Sequence, residues 1–550
     1  MRPAICYRPK WRAGAPATAP HDGARLGVVL SRIAAIGEAT IGTEIELKLA
    51  ARAGDLPALE RALSARAVGS VGPPAELVST YFDTPDRALA RRGLALRVRE
   101  RDGHFVQTVK SGPAGAGAPA LARGEWEDAI AGAEPDPRAA ESGRFIAGDV
   151  GERLTPLFRT EVDRRIIELS PDAGTSIEAS IDRGRIRVGG KGASERISEV
   201  ELELKSGPAA ALYDVALDLL AVAPVRLEWR SKAERGYRLV SEEPGTIAAV
   251  HAAPLILDLA LSGDAALQRI GLACLDQIRR NEAAVVAELG EGIHQMRVAV
   301  RRLRAILSTF GKLLPESERR WASAELRWLA DALGPARNLD VFETALLAPA
   351  QRALEDDGAL ERLMAEAERR RRAAYRKAAR AIRATRYTGL MLRLLRWFDS
   401  CGWRAGDGAT GLGQPIDVIA ARLLKERRRV ARKRSKRFGK QSAEQRHRLR
   451  IALKKLRYGA ELLASLYEPN AVDRFVKQVK RLQDDLGKAN DVRVGHDIVA
   501  ELARPAARNC AIAEVGQRML AWHERRLARG EPKLRKHLGR LLETEPFWRH

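Results

Sequence analysis

The hydrophobic rhythm of the chain changes once. Between residues 42 and 243, apolar and polar positions alternate in short runs broken by Gly, Pro and Asp. Alternation with period two places successive side chains on opposite faces of a strand, so this region is predicted to be rich in β-structure. "GLALRVRERDGHFVQTVKSG" (93–112) predicts a hairpin turning at Asp102-Gly103. Helices are expected to interrupt the strands near 55–67 and 208–222. From 265 to 550 the period becomes helical, with Ala, Leu and Arg prevailing. Residues 244–264 read as a linker and 403–415 as a loop within the helical region. Residues 1–41, rich in Ala, Gly, Pro and Arg without periodicity, read as a disordered extension.

The helical region contains a repeat. "IHQMRVAVRRLRAIL" (293–307) matches "RHRLRIALKKLRYGAELL" (446–463). His294 aligns with His447, Arg297 with Arg450, Arg301 with Lys454 and Arg304 with Arg457, each pair 153 residues apart. "LADALG" (329–334) matches "LQDDLG" (482–487) at the same offset, and "ARNLDV" and "KANDV" follow with a one-residue slip. A constant offset across separated motifs indicates a duplicated helical unit. His294, Arg297, Arg301 and Arg304 fall in one stripe about 80° wide on a helix. Met296, Val300, Leu303, Leu307 and Phe310 form a separate apolar stripe suited to a core. The second copy keeps both stripes, with Leu449, Leu453, Leu456 and Leu463 beside the cations.

The strands carry charge on one face. "TEIELKLA" (43–50) aligns Glu44, Glu46 and Lys48 opposite Ile45, Leu47 and Leu49. "SEVELELKSG" aligns Glu199, Glu201, Glu203 and Lys205, "RGEWE" aligns Arg123, Glu125 and Glu127, and "LRVR" aligns Arg97 and Arg99. Thr108 and Lys110 share a face, and Arg164, Arg230 and Lys232 lie in further strand-like runs. Two arrangements fit: an open sheet with a solvated face, or a closed barrel with its charges inside. In a barrel, carboxylates would hold a hard divalent cation and Arg and Lys would grip phosphate oxygens. That combination suits phosphoryl transfer to water.

Composition narrows the partners. The 550 residues exceed one ordinary core. Of the net charge of +24, all belongs to the helical region, where roughly 60 Lys and Arg face 34 Asp and Glu, against 35 and 37 before residue 265. Such a field attracts polyanions. Aromatic residues are only 5% and no nucleic-acid module is recognisable, which favours a phosphate chain over base-reading nucleic-acid binding. No apolar run approaches the ~18 residues of a membrane span. Cys6, Cys274, Cys401 and Cys510 have no metal-type spacing and read as free thiols. With no secretory signal visible, a cytoplasmic location is expected. There is no P-loop and no nucleophile elbow, and His104 lacks partner spacing for a metal triad.

E-I-E-L-K, Y-F-D-T (81–84), L-R-V-R, Q-T-V-K, R-G-E-W-E, E-V-E-L-E-L-K and S-K-A-E-R-G-Y (231–237) come in an order that resembles the CYTH family, or triphosphate tunnel metalloenzymes, over about 200 residues. The resemblance implies an eight-stranded antiparallel β-barrel with a charged tunnel over 42–243. It implies metal-dependent hydrolysis of inorganic triphosphate; relatives also take thiamine triphosphate or RNA ends, or cyclise ATP. By that resemblance Glu44, Glu46, Glu201 and Glu203 are candidate ligands for Mg²⁺ or Mn²⁺. The same resemblance implies that Glu125 and Glu127 would bind metal or position water, and that Lys48, Arg97, Arg99, Lys110, Arg123, Arg164 and Lys232 would bind phosphates. H-Q-M-R-V-A-V-R-R-L-R, L-G-P-A-R-N-L-D-V and their copies resemble the CHAD family, a conserved-histidine α-helical domain. This implies an all-α domain of two pseudo-symmetric bundles over 265–550. Inorganic polyphosphate would be held by His294, Arg297, Arg301, Arg304, His447, Arg450, Lys454 and Arg457. Asp340 and Asp491 would orient helices and basic side chains. The basic runs 369–380 and 425–440 would add charge. The expected protein is a triphosphatase tethered to a polyphosphate binder and associated with polyphosphate granules; the alternatives are a non-catalytic polyphosphate-binding protein and an adenylate cyclase.

Overall fold

The computed structural model describes residues 42–113, 121–189, 192–241, 247–353, 358–405, 411–504 and 510–548. The extension expected over 1–41 lies outside them.

Eight antiparallel strands close into a barrel: β1 (Gly42–Ala50), β2 (Ala75–Asp83), β3 (Leu94–Arg101), β4 (His104–Pro113), β5 (Ala122–Ile130), β6 (Thr155–Leu169), β7 (Ser176–Val188) and β8 (Ser194–Ser206). The order around it is β5-β4-β3-β2-β6-β7-β8-β1, and β1 pairs back to β5; a two-residue β9 (Arg226–Leu227) adds to β1. The β3–β4 hairpin turns at Asp102 and Gly103, both with positive φ (52° and 76°), as a tight primed turn requires.

This barrel is polar inside and apolar outside. Period-two alternation gives each strand one charged face, and closure turns those faces inward, away from bulk water. The apolar faces then need a cover. Leu47, Leu49, Val200 and Leu202 are buried beneath α1 (Leu56–Ser64) and α2 (Ala210–Val222), which contribute Leu56, Leu59, Leu63, Leu212 and Leu219. Around the other wall, Leu96, Val98, Val109 and Trp126 pack with Phe145 and Ile146. Towards one end the inward face itself becomes apolar, with Phe158 and Val162 on β6, Ile186 on β7 and Ile197 on β8. There α3 (Lys232–Val240) packs across the barrel through Ala233. The Phe158 ring sits where a side chain on Gly236 would be, so only glycine lets α3 dock this closely. Lys232, which the sequence placed in a strand-like run, is the first residue of α3. Ser231 and Glu234 form a reciprocal capping box there and start a helix instead.

The helical region is two copies of one plan. Helices α4 (Gly263–Arg280), α5 (Gly290–Thr309) and α6 (Glu316–Val341) begin at 263, 290 and 316. Their copies α9 (Ile416–Ser435), α10 (Ala443–Leu462) and α11 (Pro469–Ala503) begin at 416, 443 and 469, each 153 residues later. Between them run α7 (Ala359–Ile382) and α8 (Thr385–Asp399), and α12 (Cys510–Glu543) follows. One difference between the copies follows the third helix. After α6 the chain makes a π-type turn (Phe342–Leu347) where α11 is unbroken. Pro349 lacks the N–H that an α-helix would use there and crowds the carbonyl four residues back. The α5 and α10 apolar stripes are fully buried, and these two helices pack on each other.

Barrel and helices share one continuous core through α2, which packs on α8. The Tyr213 hydroxyl donates to Asp399 (3.0 Å), Arg396 pairs with Asp214 (2.7 Å), and Arg279 of α4 lies over the Trp229 ring at 4.9 Å. No helix among the described residues is long and apolar enough to cross a membrane.

Candidate functional site

The barrel encloses a cavity of about 580 Å³. Every barrel residue singled out from the sequence lines it: Glu44, Glu46, Lys48, Arg97, Arg99, Lys110, Arg123, Glu125, Glu127, Arg164, Glu201, Glu203 and Lys232. Their charges sort into three groups.

The first group is a neutralised lattice. Glu201 accepts from Lys48 (2.8 Å), Lys232 (2.7 Å) and Arg164. Arg164 also grips Asp182 through two bonds of 2.8 and 2.7 Å. Lys232 reaches Asp182 at 2.7 Å and Glu199 at 2.6 Å. Asp182, Glu199 and Glu201 lie close enough together to share one cation, and the Lys232 ammonium takes that place. Burial alone would raise the Glu201 carboxyl, but Lys232, Lys48 and Arg164 hold it well below the usual range. Burial opposes the charge on Lys232 likewise, and Asp182, Glu199 and Glu201 hold it well above its ordinary value.

The second group is a crowd of carboxylates. Across the sheet, Glu203 stands opposite Glu46 on one side and Glu178 on the other. Burial raises the Glu203 carboxyl, and the neighbouring Glu44 and Glu178 raise it further. Each of these carboxylates but Glu178 has one close cation: Lys205 on Glu203 (2.6 Å), Lys110 on both Glu44 oxygens (2.9 and 2.7 Å) and on Glu125 (3.0 Å), and Lys48 on Glu46 (2.5 Å).

The third group is a crowd of cations. The Arg97 charge beside it, then burial and Arg164, push Arg99 down to about 10. The Arg99 guanidinium donates to Ser79 at 3.4 Å. Arg97 stands 3.6 Å from both Glu125 and Glu127, and Glu127 is also held by the Thr108 hydroxyl (2.8 Å). Arg123 donates to the Trp229 carbonyl at 3.3 Å.

A second cationic site lies between the helical copies. Lys454 of α10 is pushed down to about 7, first by burial and then by Arg450, Arg301, Arg457 and Arg297. Arg297 and Arg301 belong to α5, so the two stripes converge. Arg297 is pushed down to about 10 by burial, Arg301 and Arg337. Its guanidinium donates to the Ala330 carbonyl (2.7 Å), and Arg301 donates to the Tyr458 hydroxyl (3.1 Å). His294 is lowered by burial and by Arg337, and its buried Nδ1 has no hydrogen-bond partner. His447 is lowered by burial and Arg450. A cluster of half-buried like charges costs free energy until an anion enters.

Sequence comparison matches a CYTH domain to residues 42–237 and a CHAD domain to residues 269–500. The chain is a CYTH domain followed by a CHAD domain. An inorganic triphosphatase of Haemophilus influenzae is 31% identical over 171 residues, 30% of this chain and 47% of that protein. An uncharacterised protein of Mycobacterium tuberculosis is 30% identical over 236 residues, 42% of this chain and 44% of that one. The chain thus spans less than half the length of these curated relatives. Among solved structures, the CHAD domain of the plant Ricinus communis is 30% identical, with a TM-score of 0.47, over 54% of this chain and 98% of its own. A Hippeastrum putative adenylyl cyclase, described as having a dominant triphosphatase activity, is 19% identical with a TM-score of 0.27, over 35% of this chain and 96% of its own.

In the CYTH domain, Glu178, Asp182, Glu199, Ser79 and Tyr237 were not among the candidates, although Glu178 and Asp182 sit at period-two positions of "SIEASID". In the CHAD domain, Asp340 accepts from Arg371 (2.8 Å) and from the Tyr375 hydroxyl (2.9 Å). The run 369–372 adds less free charge than its sequence suggests, because Arg369, Arg371 and Arg372 pair with Glu366, Asp340 and Glu368.

Proposed function

We propose that the CYTH barrel hydrolyses inorganic triphosphate in a metal-dependent reaction, while the CHAD domain holds inorganic polyphosphate. The observation that carries this reading is the separation of charge within one cavity. Carboxylates crowd at Glu44, Glu178 and Glu203, and cations crowd at Arg97 and Arg99. A crowd of either sign is costly alone and is relieved by its counterion. The donor set for a metal is all carboxylate oxygen, which fits Mg²⁺ or Mn²⁺. Glu44, Glu46 and Glu203 are the candidates of choice. Glu201, also a candidate, is already held by three cations. A bound divalent ion supplies positive charge at the phosphate oxygens during cleavage of the phosphoanhydride bond. Arg97 and Arg99 bind and orient the phosphates, with Lys110 and Arg123 beside them. Glu125 and Glu127 stand where they can position water, Glu127 being fixed by Thr108 and Arg97. Lys48, Arg164 and Lys232 hold the carboxylate lattice rigid and line the same cavity, where they would serve as further phosphate ligands. A cytoplasmic place, at polyphosphate granules, follows from this reading.

The test is a substrate panel. The protein is incubated with tripolyphosphate, thiamine triphosphate and ATP, each with Mg²⁺ or Mn²⁺. Fast phosphate release from tripolyphosphate with no cyclic product from ATP supports the proposal. A cyclic nucleotide as main product would replace it with a cyclase, and no turnover at all would leave a binding protein.

A further inference from the structure

The two copies of the CHAD plan are not electrostatically equivalent. At the C-terminal end of α5, the Lys455 ammonium donates to the Ser308 hydroxyl (2.7 Å) and Arg427 donates to the Ser308 carbonyl (3.1 Å). Arg304 lies one turn earlier on α5, and Arg434 of α9 donates nearby to the Arg448 carbonyl (2.9 Å). Lys455 is lowered by burial, then by Arg427, Arg434 and Arg304, as expected when the four charges face one another. The acids near this cluster are engaged or peripheral. Glu426, beside Arg427, pairs with Lys312 (3.5 Å), and Asp331 acts on Arg304 from α6.

Shifting each position by the repeat offset of 153 gives the opposite side. Ser308 becomes Glu461, Arg427 becomes Cys274 and Arg434 becomes Asn281, while Arg304 and Lys455 become Arg457 and Arg302. There Glu461 lies 3.6 Å from Arg457, and it also faces Arg302. One side therefore supplies its own carboxylate, and the other places two further arginines around a hydroxyl. Arg304 and Ser308 continue the α5 stripe that carries Arg297 and Arg301, so this cluster adjoins the cationic groove between the two copies.

We propose that Arg304, Arg427, Arg434 and Lys455 around Ser308 form a second phosphate-chain subsite that continues the central groove on one side only. The inference rests on the polyphosphate reading of the groove. The ligand is a linear polyphosphate long enough to leave the groove. A chain that fits within the groove does not reach the subsite, so affinity rises with chain length, and the extra contacts act at high effective concentration. Each phosphate neutralised adds to the salt dependence of binding.

Full-length protein is titrated without divalent metal with a short oligophosphate and with long-chain polyphosphate. The variant Arg434→Gln with Lys455→Gln keeps a hydrogen-bonding group at each position, and Lys455→Gln alone guards against a folding defect. Long chains are expected to bind the double variant about tenfold more weakly, with a shallower salt slope, while short chains bind as before. An equal loss for both lengths, or no loss for long chains, overturns the subsite and leaves the groove reading intact. Failure of the unsubstituted protein to bind either chain overturns both. Selective loss of single-stranded RNA binding, with polyphosphate unaffected, assigns the cluster to another ligand and overturns the proposal.

Discussion

Lys454→Gln should make the ligand-free protein more stable and a weaker polyanion binder. Lys454 sits in a cluster with Arg450, Arg301, Arg457 and Arg297, and its pKa falls from the ordinary 10.5 to about 7. A lysine lowered on folding binds more protons in the unfolded chain between those two values. Stability therefore rises with pH across that window. The penalty is fully present below about pH 7 and fades as pH approaches 10.5. At about 1.4 kcal/mol per pH unit the gap sets a ceiling of roughly 5 kcal/mol. Side-chain movement and water at this rim position should leave about 1–2 kcal/mol, or ~2–4 °C in melting temperature. Gln removes the charge and keeps much of the packing. The assay is thermal unfolding of both proteins in low salt without polyphosphate, at pH 6.5 and pH 10. The variant should melt higher at pH 6.5, and the difference should shrink at pH 10. Added polyphosphate should stabilise the wild type more than the variant. A variant less stable than wild type at pH 6.5 would refute the picture of an uncompensated cation cluster.

Two further perturbations test other parts of the structure. Glu282 is half-buried and accepts from the Tyr387 hydroxyl (2.6 Å); desolvation pushes its carboxyl up to about 7, with that hydrogen bond, Arg226 and Arg279 only partly offsetting this. An acid raised on folding costs stability as pH climbs from its unfolded value to its folded one. Glu282→Gln should therefore gain about 1–2 kcal/mol at pH 8 and nothing at pH 5, read as the melting difference from wild type; an equal gain at both values would count against it. Gly236→Ala places a methyl group inside the Phe158 ring. It should cost about 1–3 kcal/mol and move Lys232 off the carboxylate lattice, so tripolyphosphate turnover falls while polyphosphate binding persists. Unchanged stability and turnover would show that α3 can slide without consequence.

Much of this architecture was legible in the chain. Period-two charge told which residues share a face, because strand geometry leaves no other choice: Glu44, Glu46 and Lys48 do face one cavity with Arg97, Arg99 and Glu201. Whether those faces turned inward was not legible from periodicity, since an open sheet and a barrel give the same alternation. The constant offset of 153 revealed the duplication down to the helix starts. What escaped had two sources: short-range helix signals hidden by the surrounding pattern, and partners distant in sequence. Lys232 reads as strand because Ser231 and Glu234 are a short capping signal among alternating residues. Lys48, Arg164 and Lys232 converge on Glu201 from three other elements, an ion-pair lattice that no single strand reveals. In the run 369–372, Glu366 and Glu368 stand at helical spacing from Arg369 and Arg372 and were readable as partners, whereas the Asp340 partner of Arg371 is visible only once α6 and α7 pack.

The most direct test of the central claim compares wild type with Glu44→Gln plus Glu46→Gln. Phosphate release from tripolyphosphate is measured with Mg²⁺ or Mn²⁺ and with chelator, alongside divalent-ion binding by calorimetry. The account predicts metal-dependent turnover in the wild type and loss of both turnover and ion binding in the double variant, with the barrel still folded by circular dichroism. Turnover that survives the double substitution, or that persists in chelator, would contradict it.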